Sequence, residues 1–222
     1  MTSKSVFLFD VDNTLLDNDR IAADLRDYLE REVGRQREER YWNIFEELRA
    51  ELGYADYLGA LQLYRASYPR DPHLLAVSHL LLEYPFRDRL FPNAMDAVEH
   101  AQGLGDAVIL SDGDVVFQPH KVWRSGLFEA FRGAVLIYVH KEFELEDVER
   151  RYPADHYVLI DDKVRILAAV KKTWGARVTT VFPRQGHYAF DEKLVRSLPQ
   201  PDFTIERIGD LVTLDLSTPA RN

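Results

Sequence analysis

The sequence predicts an α/β fold: a Rossmann-like, mostly parallel sheet flanked by helices, with an inserted all-helical module. Three observations carry this reading. Short apolar runs rich in β-branched residues recur along the 222 residues, each bounded by polar or turn residues. Strands buried on both faces of a parallel sheet require that pattern. From about Leu90 onward such runs alternate with helix-like stretches, as they do when helices join parallel strands. Between Asp19 and Arg89 the rhythm breaks, and only helix candidates are found.

In chain order, residues 6–9 (VFLF) form the first strand, ended by Asp10. Four helices follow, in IAADLRDYLEREV, REERYWNIFEELRAEL, YADYLGALQLYRASY and PHLLAVSHLLLEY. Pro69 and Pro72 mark a turn and Pro85 ends the last helix, because proline lacks the N–H that a helix needs. Tyr41, Trp42, Tyr54, Tyr57 and Tyr64 are expected to form the core of this module, with a few facing a substrate. A helix is expected at 94–102, strands at 107–110, 134–139, 157–160 and 178–182, and a helix at 164–174. The tail DFTIERIGDLVTLD reads as a closing short strand and helix. The chain then divides into a core of residues 1–17 and 90–222 and an inserted helical domain of residues 18–89, with no internal repeat.

Twenty-eight basic against 37 acidic residues give a net charge of −9, and no basic run offsets it locally. Such a surface repels nucleic acid and anionic membranes at long range. Small phosphorylated substrates stay possible, since a metal and a few placed cations reverse the sign locally. The absence of cysteine excludes disulfides, thiol catalysis and zinc–thiolate sites. The first apolar run is too short for a signal peptide, and no stretch is long enough to cross a bilayer, so a cytoplasmic protein is expected.

The chemistry lies where apolar runs end. Residues 6–9 lead into Asp10 and Asp12, residues 107–110 into Ser111, and residues 157–160 into Asp161 and Asp162. Positions just beyond the carboxyl ends of parallel strands line the ligand crevice. Four carboxylates converging there repel one another unless a cation holds them, and oxygen-only ligands suit magnesium.

FLFDVDNTLLD, VILSDGD, YVHKEFELEDV and VLIDDK together resemble the four ordered motifs of the haloacid-dehalogenase-like (HAD) superfamily, over nearly the whole chain. The resemblance implies Asp10 as a nucleophile that forms an aspartyl-phosphate, and Asp12 as the acid and then the base. It implies Thr14, Ser111 and Lys141 as phosphoryl-binding residues, with Lys141 neutralising charge. Asp10, Asp12, Asp161 and Asp162 would hold Mg2+, Asp12 through its carbonyl. Lys121 is the other candidate for the lysine. Lys141 is preferred because it directly follows a strand-like run, whereas Lys121 reads as the start of a helix.

Two features refine the branch. Dehalogenases of this superfamily carry an aromatic residue two places after the nucleophile, where this chain has Asp12. Phosphonatases use a cap lysine, and residues 19–89 contain none. A magnesium-dependent phosphatase of a small phosphorylated metabolite is therefore expected, with a phosphomutase or a non-catalytic binding protein on the same scaffold as alternatives. The inserted helices would form a cap hinged at residues 17–20 and 87–91. The fourth motif departs from the GDxxxD form, since Ile166 stands four after Asp162, and Lys163 is unexpected beside a metal site. His120, His140 and His187 are read as surface or loop residues, and Arg184 as part of a solvated loop, with contact to substrate the lesser alternative.

Overall fold

In the computed structural model, which describes residues 4–216, the apolar runs become strands. They are β1 (Ser5–Phe9), β2 (Asp106–Asp112), β3 (Val135–Tyr138), β4 (His156–Ile160), β5 (Val178–Pro183) and, from the tail, β6 (Phe203–Ile205). Their order is β3-β2-β1-β4-β5-β6, with every neighbouring pair parallel. This is a doubly wound sheet, and its order reverses between β1 and β4. The crevice at that switch point is where such sheets take ligands.

Between β1 and β2 the chain forms α1 (Asn18–Val33), α2 (Arg35–Leu52), α3 (Tyr57–Ser67) and α4 (Leu74–Glu83). Helix α3 starts at Tyr57 rather than at Tyr54 because Asp56 caps it, accepting from Gly59 N at 2.7 Å. Helix α2 stops at Gly53, whose left-handed φ of 81° lets its N–H reach Arg49 O. Two adjacent segments tie these helices to the sheet. Leu16 bridges Leu90, Asp17 N donates to Arg89 O at 2.8 Å, and Phe91 N donates to Leu15 O at 2.9 Å. Tyr41, Trp42, Tyr57 and Tyr64 are buried in this module, and Tyr54 is half-buried.

After the module come α5 (Ala94–Leu104), α6 (Phe117–Arg124), α7 (Leu127–Ala130), α8 (Leu145–Arg151), α9 (Val164–Trp174), α10 (Gly186–Ala189) and α11 (Glu192–Ser197). Side chains alternate across a strand, so runs apolar at every position fill two layers. Val6 and Leu8 pack with Val108, Leu159, and Leu167 and Val170 of α9. Phe7 and Phe9 pack on the other face with Ile109, Val158, and Ala97 and Ala101 of α5. Phe9 meets Phe131 edge-on at 5.5 Å. Truncating such a buried ring to alanine costs about 3–5 kcal/mol. The second layer runs without a break into the inserted helices, through Phe117 against Tyr57 and Phe86.

Two further element expectations change. Strand β2 continues through Ser111 and Asp112, because Ile137 and Tyr138 of β3 pair with them. The closing helix is a 3-10 turn at Ile208–Thr213. Its buried residues Ile208 and Leu211 are three apart, the spacing that a three-residue turn places on one face. No helix among the described residues is long and apolar enough to cross a membrane.

Candidate active site

β1 leads straight into a tight turn. Thr14, Leu15 and Leu16 all donate their N–H groups to Val11 O, and Asn13 takes a left-handed φ of 60°. Asn13 is held there by Asp19, which accepts from its Nδ2 at 3.0 Å and donates its own N–H to Oδ1 at 3.1 Å. Gly186 lies against this turn, where a Cβ would come within 2.4 Å of Asn13 Cβ. Buried Gln185 braces the turn, donating to Thr14 O at 3.0 Å and accepting from Ile208 N at 2.6 Å. The result is a rigid mount for Asp10, which is only 2% exposed.

Because β4 neighbours β1, Asp161 and Asp162 emerge beside Asp10. Thr14 links the two strand ends, donating to Asp10 Oδ2 at 3.4 Å and accepting from Asp162 N at 3.1 Å. Lys141, fully buried, places Nζ 2.5 Å from Asp10 Oδ1 and donates to Leu110 O at 3.1 Å. The same ammonium is 2.6 Å from Asp161 Oδ2, an ion pair without the angles of a hydrogen bond. Burial alone would depress Lys141, but the carboxylates of Asp10, Asp161 and Asp112 outweigh it and hold the lysine charged. Burial pushes Asp161 up to about 6, with Lys141 opposing, and pushes Asp162 well above the usual carboxylate range.

Carboxylate oxygens of Asp10, Asp161 and Asp162 lie within 4.8 Å of one another. Both Asp162 oxygens are buried with no hydrogen-bond partner. A buried carboxylate without a partner is costly unless a cation meets it. These three residues therefore fit a hard divalent cation such as magnesium, through oxygen ligands alone.

The Asp12 carboxylate lies outside that trio. Lys121 holds it, with Nζ 2.6 and 2.7 Å from its two oxygens and 3.2 Å from Asn18 Oδ1. Both candidate lysines thus reach the site. Lys121 is 1% exposed and lies within α6 rather than at a helix start. Ser111 Oγ, at the end of β2, accepts from Gln118 Nε2 at 2.9 Å. Asp112 accepts from Lys141 N at 2.8 Å. Sequence reasoning missed Gln118, Asp112, Asn18 and Gln185 as site-shaping residues, since each acts through partners distant in the chain or reads as loop chemistry.

A cavity of about 460 Å³ opens above Asp12, walled by inserted-helix residues such as Arg26, Trp42, Arg49 and Tyr57 and by Lys163 from the core. Its size is that of a small-molecule site. Arg184 is not in its wall and pairs instead with Glu206. His187 pairs with Asp19, His120 contacts Leu82 O, and neither they nor His140 belong to the acid trio.

The family model for haloacid dehalogenase-like hydrolases matches residues 4–164. The chain belongs to that family. A solved haloacid dehalogenase-like hydrolase from Burkholderia xenovorans LB400 is 62% identical, with a TM-score of 0.92 over 96% of this chain and 97% of that one. An L-2-haloacid dehalogenase from Xanthobacter autotrophicus, solved with chloropropionic acid covalently bound, shares the fold at 18% identity and a TM-score of 0.61. It is matched over 95% of this chain and 97% of that one. The HAD-hydrolase YfnB from Bacillus subtilis, bound to magnesium, shares the fold at 17% identity and a TM-score of 0.62, over 95% of this chain and 98% of that one. No curated protein matches the sequence. In this HAD-like hydrolase, then, the acid trio, Lys141 and Thr14 form one buried constellation, while Asp12, at the cavity floor, pairs with the buried Lys121.

Proposed function

We propose that this hydrolase is a magnesium-dependent phosphomonoesterase of a small phosphorylated metabolite, working through an aspartyl-phosphate on Asp10. The observation that carries the reading is the Asp162 carboxylate, buried beside Asp10 and Asp161 with no protein partner for either oxygen. A dehalogenase, which releases a halide rather than an alcohol, has no need of a cation there or of an acid at position 12.

Asp10, Asp161 and Asp162 would hold the cation, which when bound supplies charge neutralisation to the phosphoryl oxygens. The protein's own groups account for the remaining steps. An Asp10 oxygen forms a bond to phosphorus as the bond to the ester oxygen breaks, and Asp12 delivers its proton to that leaving oxygen. Water then attacks phosphorus, Asp12 takes its proton, and the Asp10 carboxylate is freed. Lys141 stabilises charge on Asp10 and the phosphoryl group, and Ser111 offers its hydroxyl to a phosphoryl oxygen. Lys121 fixes where the Asp12 carboxylate stands. Helices α1–α4 act as a cap that excludes water and shapes the pocket, hinged at the paired segments around Leu16 and Leu90.

Two hydrolyses by the purified protein test this directly: phosphate from p-nitrophenyl phosphate and chloride from 2-chloropropionate, each with magnesium and with chelator. The reading expects magnesium-dependent phosphate release and no chloride. Chloride release indifferent to chelator would overturn it.

A further inference from the structure

The wall of the cavity above Asp12 carries cations that the protein itself hydrogen-bonds little or not at all. Lys163 stands half-buried in its wall. Among the described residues its ammonium forms no close ion pair and no hydrogen bond, and the Tyr188 ring lies 5.5 Å from it. Burial opposes its charge, but the buried acids Asp10, Asp162 and Asp161 act on it at longer range and keep it charged. An ammonium held charged but without a close hydrogen-bond acceptor is free to donate to an anion entering the cavity. In the same wall, Arg49 near the end of α2 has, among the described residues, a single ion-pair partner, Glu46 on its own helix at 2.6 Å. With side chains 35% and 52% exposed, that pair is weak and easily exchanged. Arg26, the third cation in the wall, is already committed, 2.6 Å from Glu38 and 4.5 Å over the Trp42 ring.

Lys163 and Arg49 also share the wall of a second cavity of about 530 Å³, so core and inserted helices present them to one gap. Trp42, another wall residue, has its indole N–H buried with no acceptor. Two donors in one wall therefore lack protein acceptors, and a third has only a weak one. We propose that Lys163 and Arg49 form a specificity subsite for a second anionic group, carboxylate or phosphate, on the phosphomonoester substrate; this rests on the phosphatase reading above. The ester oxygen lies beside Asp12, and the organic part runs into the cavity until its far anion meets the two cations. Arg49 adds the geometry, since its planar fork suits a carboxylate or a phosphate. A neutral alkyl phosphate leaves both cations unpaired by substrate.

The test compares esters of equal chain length: ω-carboxyalkyl phosphates and alkanediol bisphosphates against plain alkyl phosphates, by kcat/KM with magnesium. The readout is a ratio within one protein, so a general loss of activity cancels. Wild type is expected to favour the second anion by about 10- to 100-fold, the worth of hydrogen bonds to charged groups. Lys163→Met is expected to shrink that ratio toward one. Arg49→Gln, at a half-buried position where glutamine keeps most of the side-chain stem, is expected to do the same. Preference for the carboxylates or for the bisphosphates then says which anion is read. A wild-type ratio near one, or a ratio that survives both substitutions, overturns the subsite and leaves the phosphatase reading standing. Substitutions that change only the magnesium requirement overturn it too, since Lys163 would then serve the metal alone. Failure of wild type to hydrolyse any of the esters overturns both.

Discussion

Asp162 has the most demanding surroundings of any residue in the site: a carboxylate 1% exposed, with both oxygens unpartnered and two other acids beside it. Without metal, the amide of Asp162→Asn is easier to bury than the acid, so the variant is expected to melt higher than wild type. With magnesium the order reverses, because only the native acid gains the binding free energy, about 2.7 kcal/mol at 100 times Kd. Thermal unfolding of both proteins with and without magnesium checks this. Lys141→Met goes the other way. It strands Asp10 and Asp161 without a counter-charge, costing about 3–5 kcal/mol in stability. It should also lower kcat by about 10²–10³, the usual effect of losing a preorganised electrostatic contact. Lys141 was legible in the sequence because it comes just after the apolar run of residues 134–139. Lys121 was legible only as the alternative lysine, because its reason for being buried is Asp12, 109 residues away.

At the scale of elements, the turn after β1 depends on Gly186, at a φ of 69° and in contact with Asn13. Gly186→Ala combines backbone strain with a clash, so it should lower both melting temperature and kcat, the first by the equivalent of about 1–3 kcal/mol. Circular dichroism melts and phosphate-release assays measure the two. In the inserted helices, Asp71 ties α3 to α4, accepting from Tyr64 OH at 2.7 Å, from His73 N at 2.9 Å and from Arg37 at 2.9 Å. Burial works against its ionisation, yet these hydrogen bonds win and hold it at about 2. A carboxylate depressed by folding contributes stability above its unfolded value of about 3.9, and that contribution is lost as pH falls through 2. Urea unfolding of wild type and Asp71→Asn should therefore differ most above pH 4 and converge toward pH 2. Helix positions were legible here from apolar periodicity. Their starts needed the caps, as Asp56 demonstrates for α3, and the 3-10 turn at Ile208–Thr213 was misread because short apolar spacing suits both helix types.

For the whole molecule, the decisive fact is strand order. The sequence announced parallel strands and acids at their ends, but not which strands are neighbours, since that depends on the path of the crossovers through space. Placing β4 beside β1 sets Asp162 on Thr14, 148 residues away, and makes one site of two motifs. The same order puts the switch point under the inserted helices, so the cavity takes its floor from the sheet and its walls from both parts. The central claim is that Asp10 carries the phosphoryl group, and trapping tests it most directly. Acid quenching during turnover of p-nitrophenyl phosphate with magnesium, followed by borohydride, reduces an acyl phosphate to an alcohol, and peptide mass spectrometry locates it. The account predicts homoserine at position 10, dependent on both substrate and magnesium. Reduction at another carboxylate, or phosphate release undiminished in a folded Asp10→Asn variant, would contradict it.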